Sequence, residues 1–169
     1  GETAADFLAV NLGLGLTATS LLMGAILIGA LVLQFKQKRY VPWSYWLAVV
    51  LVSIVGTLIT DNMVDNFGIS LVSVTTFFVI ALGATFTAWY ASEKTLSIHY
   101  VTTTKREAFY WLAILMTFAL GTGAGDLVAE HFALGYMATG ILFGMIIASV
   151  TLGYYLFKLD GIWAFWIAY

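Results

Sequence analysis

The sequence predicts an all-α fold, a polytopic transmembrane helical bundle built from parallel tandem two-helix repeats. Its 169 residues are 62% hydrophobic and 9% charged, whereas soluble domains carry about 25% charged residues. Such a chain has lipid as its solvent. Uncharged runs of about 20 residues recur along it, long enough to cross about 30 Å of hydrocarbon as helices. Strand-like alternation is absent, so helices rather than a closed barrel satisfy the backbone in lipid.

Five runs are predicted to span the membrane: 14–33, 43–60, 67–92, 108–125 and 132–157. Each run is long enough for a helix to cross about 30 Å of hydrocarbon, which takes about 20 residues. The ends at 1–11 and 161–169 are apolar but too short to span. We expect each end to be half a helix, and the sequence to be a piece of a protein of about eight spans. The whole of 1–169 is expected to form a single transmembrane domain.

Basic residues mark one side of the predicted bundle. All seven Lys and Arg fall in the loops 34–42, 92–107 and 158–161, which five intervening spans place together; we call this the basic side, and the opposite side the acidic side. The positive-inside rule puts the basic side in the cytoplasm. All six tryptophans lie toward it, as an interfacial belt would: Trp43, Trp46, Trp89, Trp111, Trp163 and Trp166.

An internal repeat explains the pattern of spans. Residues 1–49 laid over 121–169 give 15 identities without a gap. Two copies of one motif read Trp46–Gly56–Asp61 and Trp111–Gly121–Asp126, while Gly1–Asp6 is the tail of a copy and Trp166 the head of another. The predicted units are approximately 1–42, 43–107, 108–160 and, as the start of a further one, 161–169. Because each complete unit holds two spans, successive units are parallel in the membrane.

These motifs resemble those of a bacterial membrane-protein family. GETAADF, GTLITD and GTGAGD, with KREAFYW upstream of the last, are similar to segments of membrane-anchored proteins made of four tandem two-helix repeats of unknown function, each with a tryptophan. The resemblance covers essentially the whole chain. It implies the fold and a multi-pass place in the bacterial inner membrane, but no activity. Relative to the family pattern, the first helix start and the last hairpin are missing.

Six acidic residues are the candidate ion-binding or transport residues, since they lie away from the basic side: Glu2, Asp6, Asp61, Asp65, Asp126 and Glu130. Fifteen residues of helix separate Trp46 from Asp61, about 22 Å at 1.5 Å per residue. The repeated Asp is therefore expected in the outer third of the bilayer. A mid-bilayer Asp costs roughly 2.5–3.5 kcal/mol, and no Lys or Arg is near in sequence to compensate it.

The acidic residues come in pairs four residues apart, which places both members of a pair on one helix face. Two such carboxylates repel each other unless a proton or a cation lies between them. Carboxylates and backbone carbonyls suit Mg²⁺, Ca²⁺ or Mn²⁺. Supporting oxygens are expected from carbonyls of an unwound glycine stretch and from three polar side chains: Gly56, Gly121, Gly123 and Gly125, with Thr57, Thr122 and Asn62.

The same kinds of residue also allow purely structural interpretations. Asp65 and Glu130 suit solvated helix ends, and the threonine hydroxyls can bond back to their own helices. The deeper aspartates can also snorkel to the interface or join helices by hydrogen bonds. His131 suits a turn. Close helix packing through small residues is the expected role of four further glycines: Gly24, Gly29, Gly140 and Gly144.

The leading functional hypothesis is a membrane transporter of a cation, coupled to a proton or a divalent metal ion through the repeated carboxylates. The alternative is a non-transporting scaffold or accessory subunit. The chain is not expected to be an enzyme, because HExxH, GxSxG and phosphate-binding loops are absent; only carboxylate chemistry would allow one. No cofactor is expected, since every Lys lies in a loop and there is no Cys.

The expected partners are the lipid bilayer and a cation substrate. A second copy of the chain or another membrane subunit is left open as a further partner. Nucleic acid is not expected, because the net charge is −2 and the basic residues form no helical stripe.

Overall fold

The computed structural model describes residues 1–37, 39–98, 101 and 103–169, and all regular structure in that part is helical. The α-helices are α1 (Glu2–Asp6), α2 (Leu16–Phe35), α3 (Pro42–Asp61), α4 (Leu71–Glu93), α5 (Thr104–Asp126), α6 (Gly135–Phe157) and α7 (Gly161–Ala168). Three π-helical turns continue α1, α3 and α5: π1 (Phe7–Asn11), π2 (Asn62–Asn66) and π3 (Leu127–His131). The predicted all-α class is confirmed.

Five helices are long and apolar enough to cross a membrane: Leu16–Phe35, Pro42–Asn66, Leu71–Glu93, Thr104–His131 and Gly135–Phe157. They correspond in number and order to the five predicted spans, and the protein is a multi-pass membrane protein. The predicted ends differ from the observed ones in a regular way. The runs predicted to stop just before the repeated Asp continue for more than a turn beyond it.

A π-helical turn follows each repeated Asp, and this explains the difference. The turns are closed by equivalent backbone bonds: Leu12 N–H to Phe7 O at 3.0 Å, Phe67 N–H to Asn62 O at 3.0 Å and Phe132 N–H to Leu127 O at 3.1 Å. Such i→i+5 turns are rare in proteins, and those that occur are often at functional sites. Three copies at one repeat position are therefore a property of the unit rather than an accident of one helix.

The helices pack in a staggered way between units. α3 lies at the centre, in contact with α1, α2 and α5, while α4 packs on α5 and α6 on α7. The second helix of each unit therefore packs mainly on the first helix of the next unit. α3 is the most buried of the spanning helices and α6 the least. The main apolar cluster surrounds α3 and includes Ala48, Val52, Leu58 and Ile114; a smaller second cluster lies between α4 and α5 around Val74, Phe78 and Ala119.

Two contacts show that successive units are related by the same step. Near the acidic side, a Cβ on Gly1 would meet the Ser53 carbonyl, and a Cβ on Gly56 would lie 2.8 Å from Phe118 Cβ. Gly1 and Gly56 are equivalent in the repeat, as are Ser53 and Phe118. Each glycine therefore lets the first helix of one unit approach the first helix of the next.

The same step recurs near the basic side. The rings of Tyr45 and Trp111 have centroids 5.6 Å apart, and those of Tyr110 and Trp166 are 6.2 Å apart. Each tyrosine immediately precedes the tryptophan of its own unit and packs on the tryptophan of the next. The first helices are thus arranged by one repeated operation over their whole length.

Two predictions about glycine residues, the unwinding before Asp126 and the close packing at four other positions, were wrong. Residues 121–126 stay within continuous α5, so the glycine stretch before Asp126 does not unwind to expose carbonyls. The four glycines expected to allow close packing, Gly24, Gly29, Gly140 and Gly144, would have no heavy atom within 4 Å of an added Cβ in the described part of the chain. They lie on faces of α2 and α6 that no other described helix covers.

The tryptophans do not form one outward-facing belt, which corrects that expectation. Trp43, Trp46 and Trp163 are exposed, whereas Trp89 and Trp111 are buried. Trp89 stacks on the ring of Phe109 at 6.3 Å. Because a buried indole fills space between helices, these two residues serve the interior of the bundle.

Candidate functional site

The repeated aspartates end α1, α3 and α5 at the acidic side. Asp61 and Asp126 are half-buried, and Asp6 is exposed. The charge on Asp61 is opposed most strongly by Asp126, then by Asp6, Asp65 and Glu2. The helix packing therefore brings carboxylates of three units within electrostatic reach of one another. Of the described Lys and Arg, only Lys105 and Arg106 form ion pairs, both with Glu93.

A layer of hydroxyl groups lies one helical turn below Asp61 and Asp126. The Thr57 and Thr122 hydroxyls are hydrogen-bonded at 3.1 Å, and Thr122 also donates to Phe118 O at 3.3 Å. These residues are equivalent in the repeat, so the two units meet here through the same side chain. The sequence had left open a site-lining hydroxyl or one bonded back to its helix. The bond back to the helix is present in Thr122, and the site-lining role of the two hydroxyls stays a prediction.

Glu2 occupies the position in its own unit that Thr57 and Thr122 occupy in theirs. It is exposed, and it exerts the largest single charge effect on Asp126. A Cβ on the neighbouring Gly1 would lie 3.1 Å from Thr57 Oγ1. The start of α1 thus lies against Thr57 of α3.

Asn62 is bound to its surroundings rather than to Asp61. Its Nδ2 donates to Leu58 O and to Ser20 Oγ, both at 2.7 Å, and its Oδ1 accepts from Asn66 Nδ2 at 2.7 Å. Asn66 also donates to Thr17 Oγ1 at 3.2 Å. This network fastens π2 to the start of α2. The sequence alone does not reveal this network, because Ser20, the partner of Asn62 in α2, lies 42 residues away.

The outermost acidic residues, Asp65 and Glu130, are exposed within π2 and π3. Glu130 accepts a hydrogen bond from Tyr136 of α6. His131, at the end of π3, is also exposed, and its ring lies 5.4 Å from that of Phe132. Among the described residues, no three or more His, Cys, Asp or Glu side chains are grouped so that they could hold a metal ion.

The supporting glycines differ in their surroundings. Gly56 approaches α5, and a Cβ on Gly123 would lie 3.2 Å from Thr75 Oγ1 of α4. Gly121 and Gly125 would meet no heavy atom of the described chain within 4 Å. Gly56 and Gly123 therefore position helices around the carboxylates rather than offering carbonyl oxygens to an ion.

A second polar site lies at the basic side and was missed by sequence analysis. It is a cavity of about 640 Å³ between the end of α2 and the starts of α3 and α5; we call it the basic-side cavity. Gln34, Tyr45, Glu107, Tyr110 and Trp111 are among its lining residues. The only sequence signals were an isolated Gln at the end of an apolar run and the Glu of KREAFYW, neither of which shows that the two meet.

Comparison with family models identifies three matching segments in the chain, residues 1–40, 44–95 and 109–160, and their family is described as Repeat of Unknown Function (DUF347). The chain belongs to this family. Each DUF347 repeat contains one Gly–x4–Asp motif followed by a π-helical turn. Comparison with curated proteins and with solved structures finds no match.

The three DUF347 repeats have several structural features of the candidate site in common. The recurring features are a glycine, an Asp five residues later and a π-helical turn after the Asp. The glycine lies at a helix crossing in the first two repeats, as Gly1 and Gly56, but not in the third, as Gly121. The Glu2, Thr57 and Thr122 position varies between acid and hydroxyl. The three repeats therefore share the same backbone arrangement, while individual side chains differ between them.

Proposed function

We propose that the protein is a membrane transporter of a cation and that Asp61 and Asp126 bind the transported or coupling ion, a proton or a divalent metal ion. One observation carries the proposal. Two repeat-equivalent carboxylates are half-buried in spanning helices and act on each other electrostatically. Neither forms an ion pair with a described Lys or Arg.

The physical argument is electrostatic. A carboxylate within the membrane carries a cost of up to about 3 kcal/mol, and neighbouring like charges add to it. Binding a proton or a metal cation removes both contributions. The Thr57 and Thr122 hydroxyls, one turn away, would supply further oxygen ligands, and the charge of Glu2, which acts on Asp126, would also favour a cation. An intramembrane ionisable group of this kind is by default a candidate for an ion pathway.

The proposed orientation places the basic side in the cytoplasm of a bacterium and the carboxylates toward the outer face of the inner membrane. Its support is the restriction of all seven Lys and Arg to three loops. Cytoplasmic loops are enriched in these residues.

A non-transporting scaffold or accessory subunit is the second candidate. The network of Asn62, Ser20 and Asn66 supports it, since polar bonds between membrane helices stabilise a bundle without any ion. In a scaffold, the aspartates would only stabilise the ends of their helices. A partner subunit would cover the faces of α2 and α6 that no described helix covers. An enzymatic role has no supporting constellation in the described chain.

The discriminating experiment is ion flux in proteoliposomes. Proton flux is followed with an entrapped pH-sensitive dye, and Mn²⁺ flux with an entrapped metal-quenched dye. We expect Asp61→Asn and Asp126→Asn each to lower flux at least about tenfold, since each removes the charge that binds the ion. Asp65→Asn, an exposed carboxylate four residues from Asp61, is the matched control and should retain most of the flux.

Unchanged flux in both Asp61→Asn and Asp126→Asn would remove these residues from an ion-binding role. A wild-type protein that passes neither ion and purifies in a stable complex with another membrane protein would favour the scaffold. Correct folding of each variant is checked by its unfolding temperature in detergent.

A further inference from the structure

The basic-side cavity contains a fixed carboxylate. Glu107 Oε1 accepts hydrogen bonds from Gln34 Nε2 at 3.2 Å and from Trp111 Nε1 at 3.4 Å. The Gln34 amide is itself oriented, because its Oε1 accepts from Ser44 Oγ at 2.8 Å. Gln34 and Ser44 are both buried. Side chains from three different helices therefore hold Glu107 in one position at the cavity wall.

One oxygen of this carboxylate is available to a ligand. Among the described residues, Glu107 Oε2 has no hydrogen-bond partner and Glu107 forms no ion pair. The two donors on Oε1 are uncharged, so they orient the group without neutralising it. Glu107 therefore presents a carboxylate to the cavity from a prearranged position, which lowers the entropic cost of binding a positive group.

Aromatic rings form the adjoining wall. The ring centroids of Tyr45 and Trp111 are 5.6 Å apart at 47°, and those of Tyr40 and Tyr45 are 5.5 Å apart at 59°. Tyr40, Tyr45 and Trp111 all line the cavity, and we call the place where the last two rings meet the Tyr45–Trp111 corner. The faces of Trp and Tyr attract organic ammonium groups through cation–π interactions, and a nearby carboxylate reinforces the same preference.

The cavity also has a basic residue. Arg39 lines it together with Glu107, so a simple cation would meet one attractive and one repulsive charge. A molecule with an ammonium group at one end and an acidic group at the other would satisfy both. The volume of about 640 Å³ lies within the range of roughly 300–1,000 Å³ that small-molecule sites occupy.

We propose that the basic-side cavity is a binding site for a small zwitterionic amine, whose ammonium group lies against Glu107 and the Tyr45–Trp111 corner and whose acidic group is bound by Arg39. The site is separate from the aspartates at the acidic side. About twelve residues of helix, roughly 18 Å, separate Tyr45 from Thr57. The proposal therefore does not rest on the proposed cation transport.

The test is calorimetric titration of the purified protein in detergent with glycine betaine, with tetramethylammonium as the probe that lacks the acidic group. We expect saturable binding of glycine betaine that weakens at least about tenfold in Glu107→Gln and in Arg39→Gln, because each change removes a charged hydrogen-bond partner. Glu107→Gln keeps an acceptor for Gln34 and Trp111. Lys36→Gln, which changes an exposed basic residue outside the cavity lining, should bind like the wild type.

Three results would overturn the proposal: no saturable binding of glycine betaine, equal affinity for tetramethylammonium, or unchanged affinity in Glu107→Gln. The unfolding temperature of Glu107→Gln shows whether a loss of binding reflects misfolding, and Arg39→Gln supplies an independent variant. Asp61→Asn should bind glycine betaine normally even if its ion flux is lost, so the two proposals can fail separately.

Discussion

The hydroxyl groups of Tyr45 and Tyr110 are hydrogen-bonded at 2.7 Å although 65 residues separate them in sequence. They occupy the same position in successive repeats, as do Thr57 and Thr122, whose hydroxyls also bond to each other. α3 and α5 are thus joined by two pairs of identical side chains, one near the basic side and one below the aspartates. The second and third repeats thus present the same polar atoms to each other.

This pairing predicts a measurable coupling between the tyrosines. Tyr45→Phe or Tyr110→Phe alone leaves one hydroxyl without its partner, which should cost about 1–3 kcal/mol of unfolding free energy. The double variant removes both groups and should cost less than the sum of the single ones. Unfolding in mixed detergent micelles gives the four values of the cycle. Strictly additive losses would show that the hydroxyls do not depend on each other.

A pair of equivalent glycines provides the next prediction. Gly56→Ala puts a methyl group 2.8 Å from Phe118 Cβ and 3.1 Å from Ala119 N, so α3 and α5 must separate at a cost of about 1–3 kcal/mol. Gly121→Ala at the equivalent position meets nothing within 4 Å of the described chain. The better helix propensity of Ala should make it neutral or stabilising by about 0.5–1 kcal/mol.

The same unfolding assay measures both glycine variants, and each serves as the control for the other. Equal effects at the two positions would contradict the asymmetric packing of α3 and α5. Flux measured on Gly56→Ala would also report whether helix separation disturbs Asp61, five residues further along α3.

The spans were predictable from the sequence, but the helix ends were not. Asp61 interrupts an apolar run, and a hydropathy argument therefore ended the helix there. Met63 and Val64 of π2 are partly buried against α4 and α5. The helix can continue through them because of its i→i+5 backbone bonds, which hydropathy does not predict. The repeat did indicate that all three aspartates occupy equivalent positions, and each of them ends an α-helix.

The sequence allows candidate residues to be named, but it does not show how they are assembled. In a chain apolar on every helix face, periodicity does not show which face meets which helix. Gly56 and Gly24 look alike in sequence, yet only Gly56 lies at a helix crossing. The basic-side cavity depends on Gln34 and Glu107, 73 residues apart, and such a pairing emerges only when the helices are placed.

The Asn62 network is expected to contribute to the attachment of π2 to α2. Asn62→Leu removes the bond to Ser20 and the acceptor for Asn66. Polar bonds between membrane helices contribute on average about 0.6 kcal/mol and at most about 1.7, so we expect a loss in that range. A double-mutant cycle with Ser20→Ala isolates the coupling.

Thr76→Val is the control for that cycle, since the exposed Thr76 hydroxyl bonds only to Val72 O in its own helix among the described residues. Its effect on unfolding should be close to zero. A coupling of zero between Asn62 and Ser20 would leave the network without an energetic role and would weaken the scaffold alternative.

The orientation proposal can be tested directly because the sequence contains no Cys, so each introduced cysteine is the only thiol. Phe67 and Phe132 are exposed at the acidic side, and Lys36 and Lys105 are exposed at the basic side. With the basic side in the cytoplasm, Phe67→Cys and Phe132→Cys should react with a membrane-impermeant maleimide in intact spheroplasts. Lys36→Cys and Lys105→Cys should react only after the membrane is disrupted. The reverse pattern would invert the topology, and labelling of Phe67→Cys without Phe132→Cys would contradict the parallel arrangement of the repeats.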